Sequence, residues 1–140
     1  MELEEYELSL VYINSALELD DKASDVWVYY AEANIGLNSI DEALIGYLKS
    51  ISLDPSQPDT LMAVASIYMD KANFENAIRF YEQAYSFDTN LELIELFMAV
   101  GYYYVGNMEK MEHFLQLAVQ KNLDSLKLFF DFCPDAEINI

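Results

Sequence analysis

The chain has 140 residues, enough for one compact domain or a short repeat array, and its 54% hydrophobic content is too high for a disordered chain. Seven Lys and Arg stand against 25 Asp and Glu, a net charge of -18 that repels phosphate backbones and anionic membranes and attracts basic protein surfaces. A single cysteine, an acidic start (MELEEYELSL) unlike a signal peptide, and no run near the roughly 18 apolar residues of a membrane span point to a reducing, cytoplasmic setting, with neither membrane nor nucleic acid as partner.

In chain order, residues 2–19 read as one helix with Ser9, Ile13, Ala16 and Leu19 on one side. Leu8, Val11, Tyr12 and Leu17 lie off that side, so the helix is apolar around much of its girth. Residues 24–57 read as two helices. In the first, Trp27, Tyr30, Ala31 and Asn34 recur at helical spacing, with Ser24 or Asp25 placed to cap the start. In the second, Ala43, Tyr47, Ser50, Ile51 and Leu53 share a side, Ser39 and Glu42 have capping-box spacing, and Pro55 ends the run. Residues 58–91 begin on Pro58, suited to a first turn, and repeat the pattern with Ala65, Tyr68, Ala77, Tyr81 and Ala84. Residues 92–123 repeat it again with Ala99, Tyr102, Gly106, Leu115 and Ala118. Residues 124–133 form a short capping helix cut off at Pro134, and 134–140 are a tail.

Shifting the sequence by 34 residues aligns it with itself without a gap. Asp20, Asp54, Asp88 and Asn122 share a column, as do Ala31, Ala65, Ala99 and Cys133. Ala16, Ser50, Ala84 and Ala118 form a third column, and Ile13, Tyr47, Tyr81 and Leu115 a fourth. Small opposite small and large opposite large is what stacked identical units require.

With Trp27, Ala31, Ala43, Tyr47 and Pro55 in their places, and two further units in phase, the chain resembles the tetratricopeptide repeat family over nearly its whole length. The resemblance implies one array over 1–140 and an all-α fold, a right-handed superhelical solenoid of antiparallel helix pairs. Glu95 stands where that family has a bulky residue and Met111 where it has alanine, which bears on the tilt of the third unit. The lone helix at 2–19 matches only a second helix, without its partner.

Little else suggests chemistry. His113 shares a helix face with Glu109 and has no second histidine beside it, so a solvated face explains it better than a metal. Cys133 continues an alanine column and reads as packing. Gly36, Gly46, Gly101 and Gly106 form no phosphate-cradling loop; Gly106 falls at a turn, and Gly101 has no column-mate that explains it. No catalytic constellation, cofactor or metal is expected.

In the family the first helices line a concave face that grips a peptide or helix. The residues pointing there would be Asp25, Val28, Glu32, Ile35 and Gly36, then Asp59, Met62, Ser66, Met69 and Asp70, then Leu93, Leu96, Val100, Tyr103 and Tyr104. Of the three tyrosines, Tyr102 belongs to the repeat, Tyr103 to a flank, and Tyr104 points most directly into the concavity. The expected role is a protein-interaction module, not an enzyme, taking an apolar peptide or helix with basic residues towards Asp25, Glu32 and Asp59. Family members that grip acidic chaperone tails use Lys, Arg and Asn there, and this lining has no basic residue. Two alternatives stand beside it. The chain could be a structural segment of a longer scaffold, or it could self-associate through its first helix or its cap. Either the cap and tail or a second copy could also fill the apolar lining.

Overall fold

Two turn chemistries, each recurring every 34 residues, cut the chain into helices. The computed structural model describes residues 2–138, and its regular structure is helical: α1 (Leu3–Leu19), α2 (Ser24–Gly36), α3 (Ile40–Leu53), α4 (Pro58–Asp70), α5 (Phe74–Phe87), α6 (Ile94–Tyr104), α7 (Met108–Lys121) and α8 (Asp124–Phe132).

The first turn closes each helix pair. Asn38, Ala72 and Gly106 adopt left-handed backbone, with φ of 58°, 57° and 82°. The next residue's N–H then reaches back to a carbonyl of the ending helix: Ser39 to Asn34 at 2.8 Å, Asn73 to Tyr68 and Asn107 to Tyr102 at 2.9 Å. This is the helix-ending geometry that satisfies otherwise orphaned carbonyls. Asn73 and Asn107 go on to cap α5 and α7 with their side chains. Ser39 makes no such bond, so the expected capping box is absent; Glu42 instead accepts a hydrogen bond from the Tyr30 hydroxyl at 3.0 Å. The start of α2 likewise has no side-chain cap.

The second turn links one pair to the next and explains the aspartate column. Asp20, Asp54, Asp88 and Asn122 each end a second helix in extended backbone. Each Oδ1 accepts from the N–H two residues on, at 2.9, 3.0, 2.8 and 3.0 Å. A short side chain folding onto its own backbone fixes the reversal.

Helices α2/α3, α4/α5 and α6/α7 pair as hairpins, and α1 packs on α2, α3 on α4, α5 on α6 and α7 on α8. Ala31, Ala65, Ala99 and Cys133 are completely buried. Relative to Ser24 and Pro58, the frame would start α6 at residue 92 (58 + 34), whereas it starts at Ile94. Leu93 takes left-handed backbone (φ 60°) and delays the helix. Because Ala99 stays buried and Gly106 stays at its turn, α6 is shortened rather than shifted.

Glu95 is buried against Lys121, whose Nζ lies 2.6 Å from its Oε2 and donates also to the Thr89 carbonyl at 2.8 Å. In the same two columns the earlier repeats carry Trp27 with Leu53 and Leu61 with Phe87. An apolar pair has been exchanged for an ion pair, which keeps the buried carboxylate from standing uncompensated.

A non-glycine residue in left-handed backbone costs roughly 1 kcal/mol. Ala72→Gly should therefore stabilise the chain by about 0.5–1 kcal/mol. A urea midpoint that stays put or falls would contradict that account of the turn.

Candidate peptide groove

The first helices present their outer faces in sequence, and the character of that surface changes where α8 begins to cover it. On α2 and α4, Asp25, Glu32, Ile35, Asp59, Ser66 and Asp70 are exposed, and Val28, Met62 and Met69 are half-buried. Ile35 and Ser66 meet at a cleft of about 540 Å³ between α2/α3 and α4, with Ala63 and Asp70 in its wall. Gly36 does not belong to this surface: the Tyr6 ring of α1 lies where its side chain would be.

The third repeat departs from the expected lining. Leu96 and Val100, expected to face the concavity, are buried. The cause is α8, which packs on both α7 and α6 and approaches α6 more closely than α4 approaches α2. Phe129 meets Tyr103 edge-on at 6.1 Å, and Phe132 meets Phe97 at 6.2 Å. Leu93 is half-buried and lines a cavity with Leu96, Glu95, Lys121 and Ser125.

Tyr104 is also placed differently from expectation. Its ring stacks on Phe74 at 4.5 Å and 12°, and its hydroxyl donates to the Phe132 carbonyl at 2.5 Å. It ties the turn of the second repeat to the end of α8, beside the hairpin turn formed by Ala72 and Asn73. Tyr102 packs as a repeat residue, stacked on Phe114 and donating to Glu82 at 2.5 Å. Burial, then the bond and charge of Glu82, pushes its hydroxyl pKa up. Gly101 now has its reason: a side chain there would press on Ile78, whose Cγ1 lies 2.8 Å from the Cβ position. The tail runs to α7 and α8, where Ile138 stands with Leu115, Val119 and Leu126 around an apolar cleft of about 310 Å³. Asn139 and Ile140 of the expected tail, and Met1, lie outside the described residues.

The open part of the site is thus confined to α2 and α4. It has apolar contact area and unpaired carboxylates, the ion pairs among the described residues being Lys71–Asp41 and Lys121–Glu95. Such a surface can bind; among the described residues no group of three or more His, Cys, Asp or Glu converges to hold a metal ion. No helix of the described residues is long and apolar enough to cross a membrane. His113 is exposed on α7, its ring edge-on to Phe114.

A solenoid of antiparallel hairpins with one shared outer face for its first helices defines the class of protein. Residues 58–91 match the tetratricopeptide repeat family model, and the fold of the chain is that of a helical tetratricopeptide repeat superhelix. A sequence search of curated proteins gives no match. Similar solved structures include MamA, at 16% identity over 82% of this chain and 67% of MamA, with a TM-score of 0.71. Another is YrrB, described as a TPR protein with an unusual peptide-binding site, at 19% identity and a TM-score of 0.72. The likeness covers 86% of this chain and 62% of YrrB, so the chain spans less than two thirds of that protein. A third is the N-terminal domain of stress-induced protein-1 from C. elegans, at 14% identity over 78% of this chain and 93% of that domain, with a TM-score of 0.65. At these identities the likeness concerns the fold alone.

Burial pushes the Cys133 thiol from an ordinary 9.0 up to about 11, against a smaller lowering by the Tyr104 hydroxyl. At pH 8 its thiolate is then roughly a hundredfold scarcer than that of a free cysteine. Iodoacetamide should label Cys133 at least that much more slowly in the native chain than in urea; equal rates would show the thiol to be accessible. The raised value also makes stability fall as pH climbs from 9 towards 11, because the unfolded thiol ionises first.

Proposed function

We propose that the chain is a protein-interaction module that binds and does not catalyse. Its ligand site would be the outer face of α2 and α4, taking an apolar, partly basic peptide or helix of a partner protein. The observation that carries this reading is the contrast along the array. Ile35 and Ser66 remain exposed around an open cleft, whereas Leu96 and Val100 of the third repeat are closed over by α8. Methionines such as Met62 and Met69 adapt to varied apolar surfaces. Exposed Asp25, Glu32, Asp59 and Asp70 favour lysine or arginine in the ligand.

Two variants test the site. Ile35→Glu with Met62→Glu should weaken a captured partner by roughly tenfold or more, since apolar contacts at the centre of an interface dominate its affinity. Retention of every partner by the double variant, with its circular dichroism unchanged, would move the site elsewhere.

The charge of the surface gives an independent expectation. An acidic chaperone-tail peptide should show no binding by calorimetry, because Lys71, the basic residue that lines the cleft, is already paired with Asp41 and the other charges around it are carboxylates. Micromolar binding of that peptide would overturn the groove assignment.

A second reading, a segment of a longer scaffold or a self-associating array, is favoured by α1. That helix has no buried residue and leaves Leu8, Val11 and Tyr12 exposed.

A further inference from the structure

One small volume recurs along the array, where the end of a second helix lies between the starts of its own first helix and of the next one. At the first such junction a glutamine fills it. The Gln57 amide donates to the carbonyls of Ser50 at 3.1 Å and Asp54 at 2.7 Å, and its oxygen accepts from the Thr60 hydroxyl at 3.2 Å. The Ser50 hydroxyl lies 3.0 Å from the same amide and donates to the Ser24 carbonyl at 2.8 Å, which ties in the start of α2. At the second junction Leu91 stands in the column of Gln57, half-buried against the core. At the third the corresponding side chains are short: Ala118 stands for Ser50 and Ser125 for Gln57. There α6 also begins late, after the left-handed Leu93, so the facing wall is a turn instead of a helix. A cavity of about 410 Å³ results, with Ala118, Asn122 and Ser125 on one side and Leu93 and Glu95 on the other. Ser125 is only 1% exposed. No fully sealed side-chain N or O among the described residues lacks a partner, so its hydroxyl, which bonds to no described residue, opens on this cavity.

We propose that this cavity binds a primary carboxamide, the group that the chain itself places in the corresponding position at the first junction. The inference goes beyond the interaction-module reading and does not depend on it, because it uses α6, α7 and α8 and not the outer face of α2 and α4. The repeat supplies the recognition. The amide N–H groups meet the carbonyls of Ala118 and Asn122, which correspond to those of Ser50 and Asp54, and the amide oxygen accepts from the Ser125 hydroxyl. Charge disfavours the nearest chemical relatives of an amide. The carbonyl end of α7 and the Glu92 carboxylate repel a carboxylate. The Lys121 ammonium, held 2.6 Å from Glu95 at the edge of the cavity, repels a second ammonium. Leu93 and Leu96 offer apolar contact to the methylenes that carry the amide. The ligand is therefore glutamine-like, presented either by the free amino acid or by a residue of a partner peptide.

The test is a titration of the full 140-residue chain followed by amide NMR correlation spectra. Free L-glutamine and N-acetyl-glutamine methylamide are the probes, with L-glutamate and N-acetyl-glutamate methylamide as their controls. At least one amide should give saturable shifts centred on Leu93, Lys121 and Ser125, with a dissociation constant on the order of millimolar. Its carboxylate counterpart should bind roughly tenfold more weakly or worse. Tighter binding of the capped probe identifies a peptide glutamine as the source, and tighter binding of the free probe identifies the amino acid. Ser125→Gln supplies the amide from within the chain. It should raise the melting temperature by about 2–4 °C and weaken the probe by roughly tenfold or more. Ile35→Glu with Met62→Glu, which tests the groove, should leave the shifts in place, so the two readings fail separately. Three results would each overturn the proposal: neither amide gives saturable shifts at those residues, glutamate binds as well as glutamine, or the folded Ser125→Gln chain binds the probe unchanged. If Ser125→Gln does not fold, the comparison of amide with carboxylate on the unaltered chain decides.

Discussion

The close approach of paired helices at one small residue per repeat is the constraint on which the other features depend. Ala31, Ala65 and Ala99 are completely buried, and any larger side chain there would push two helices apart; Cys133, equally buried, continues the column at the end of α8. Overpacking at such a point costs about 1–3 kcal/mol, and in a stacked array it is felt by both neighbours. The glycines extend the same logic. A side chain at Gly46 would meet Tyr30 and the Trp27 carbonyl, and one at Gly101 would meet Ile78. Close contact in the middle then leaves the flanking positions to bulky residues such as Tyr47, Tyr81 and Leu115, whose own burial fixes the spacing of the next helix.

The aromatic richness of the third repeat belongs to its contact with α8, whose nine residues pack on both α6 and α7. Phe129 and Phe132 are large enough to do this through contacts with Tyr103 and Phe97, and the Tyr104 hydroxyl holds the end of the helix by the Phe132 carbonyl. Aromatic rings give the most apolar area per residue ordered, which suits a short closing helix. The cluster that looks like a binding surface in the sequence is therefore largely the core of the last interface.

Helices, turns and small-residue columns are legible in the sequence because each repeats three or four times in phase. Repetition averages away the local ambiguity of any one segment. What repetition hides is the effect of the ends. Leu96 and Val100 occupy the same frame positions as Met62 and Ser66, yet they are buried because the helix beyond them leans in. Tyr104 shares its column with Asp70 and Gly36, so the frame alone places it facing the concavity, whereas Phe74 captures its ring. One signal could have been read earlier. Lys121 falls in the column of Leu53 and Phe87 just where Glu95 falls in that of Trp27 and Leu61. Two departures, 26 residues apart like Leu61 and Phe87, mark a single compensated exchange.

Charge sets the kind of partner the protein attracts, and uncovered apolar area sets where such a partner could sit. Twenty-five acids against seven bases leave most carboxylates without a partner on the chain, so the protein carries a long-range negative field. That field speeds encounter with basic surfaces, but it does not choose a site, because acids occur on every helix. Selection has to come from apolar area left uncovered beside them. Where Ile35 and Ser66 meet on α2 and α4, exposed carboxylates border such area at the first-helix face. The apolar cleft by Ile138 lies instead against the second helix α7, with Lys127 nearby in sequence on α8. On the proposed reading the field would draw a basic, amphipathic ligand to the protein as a whole, and uncovered apolar contacts would hold it in the amino-terminal half of the array.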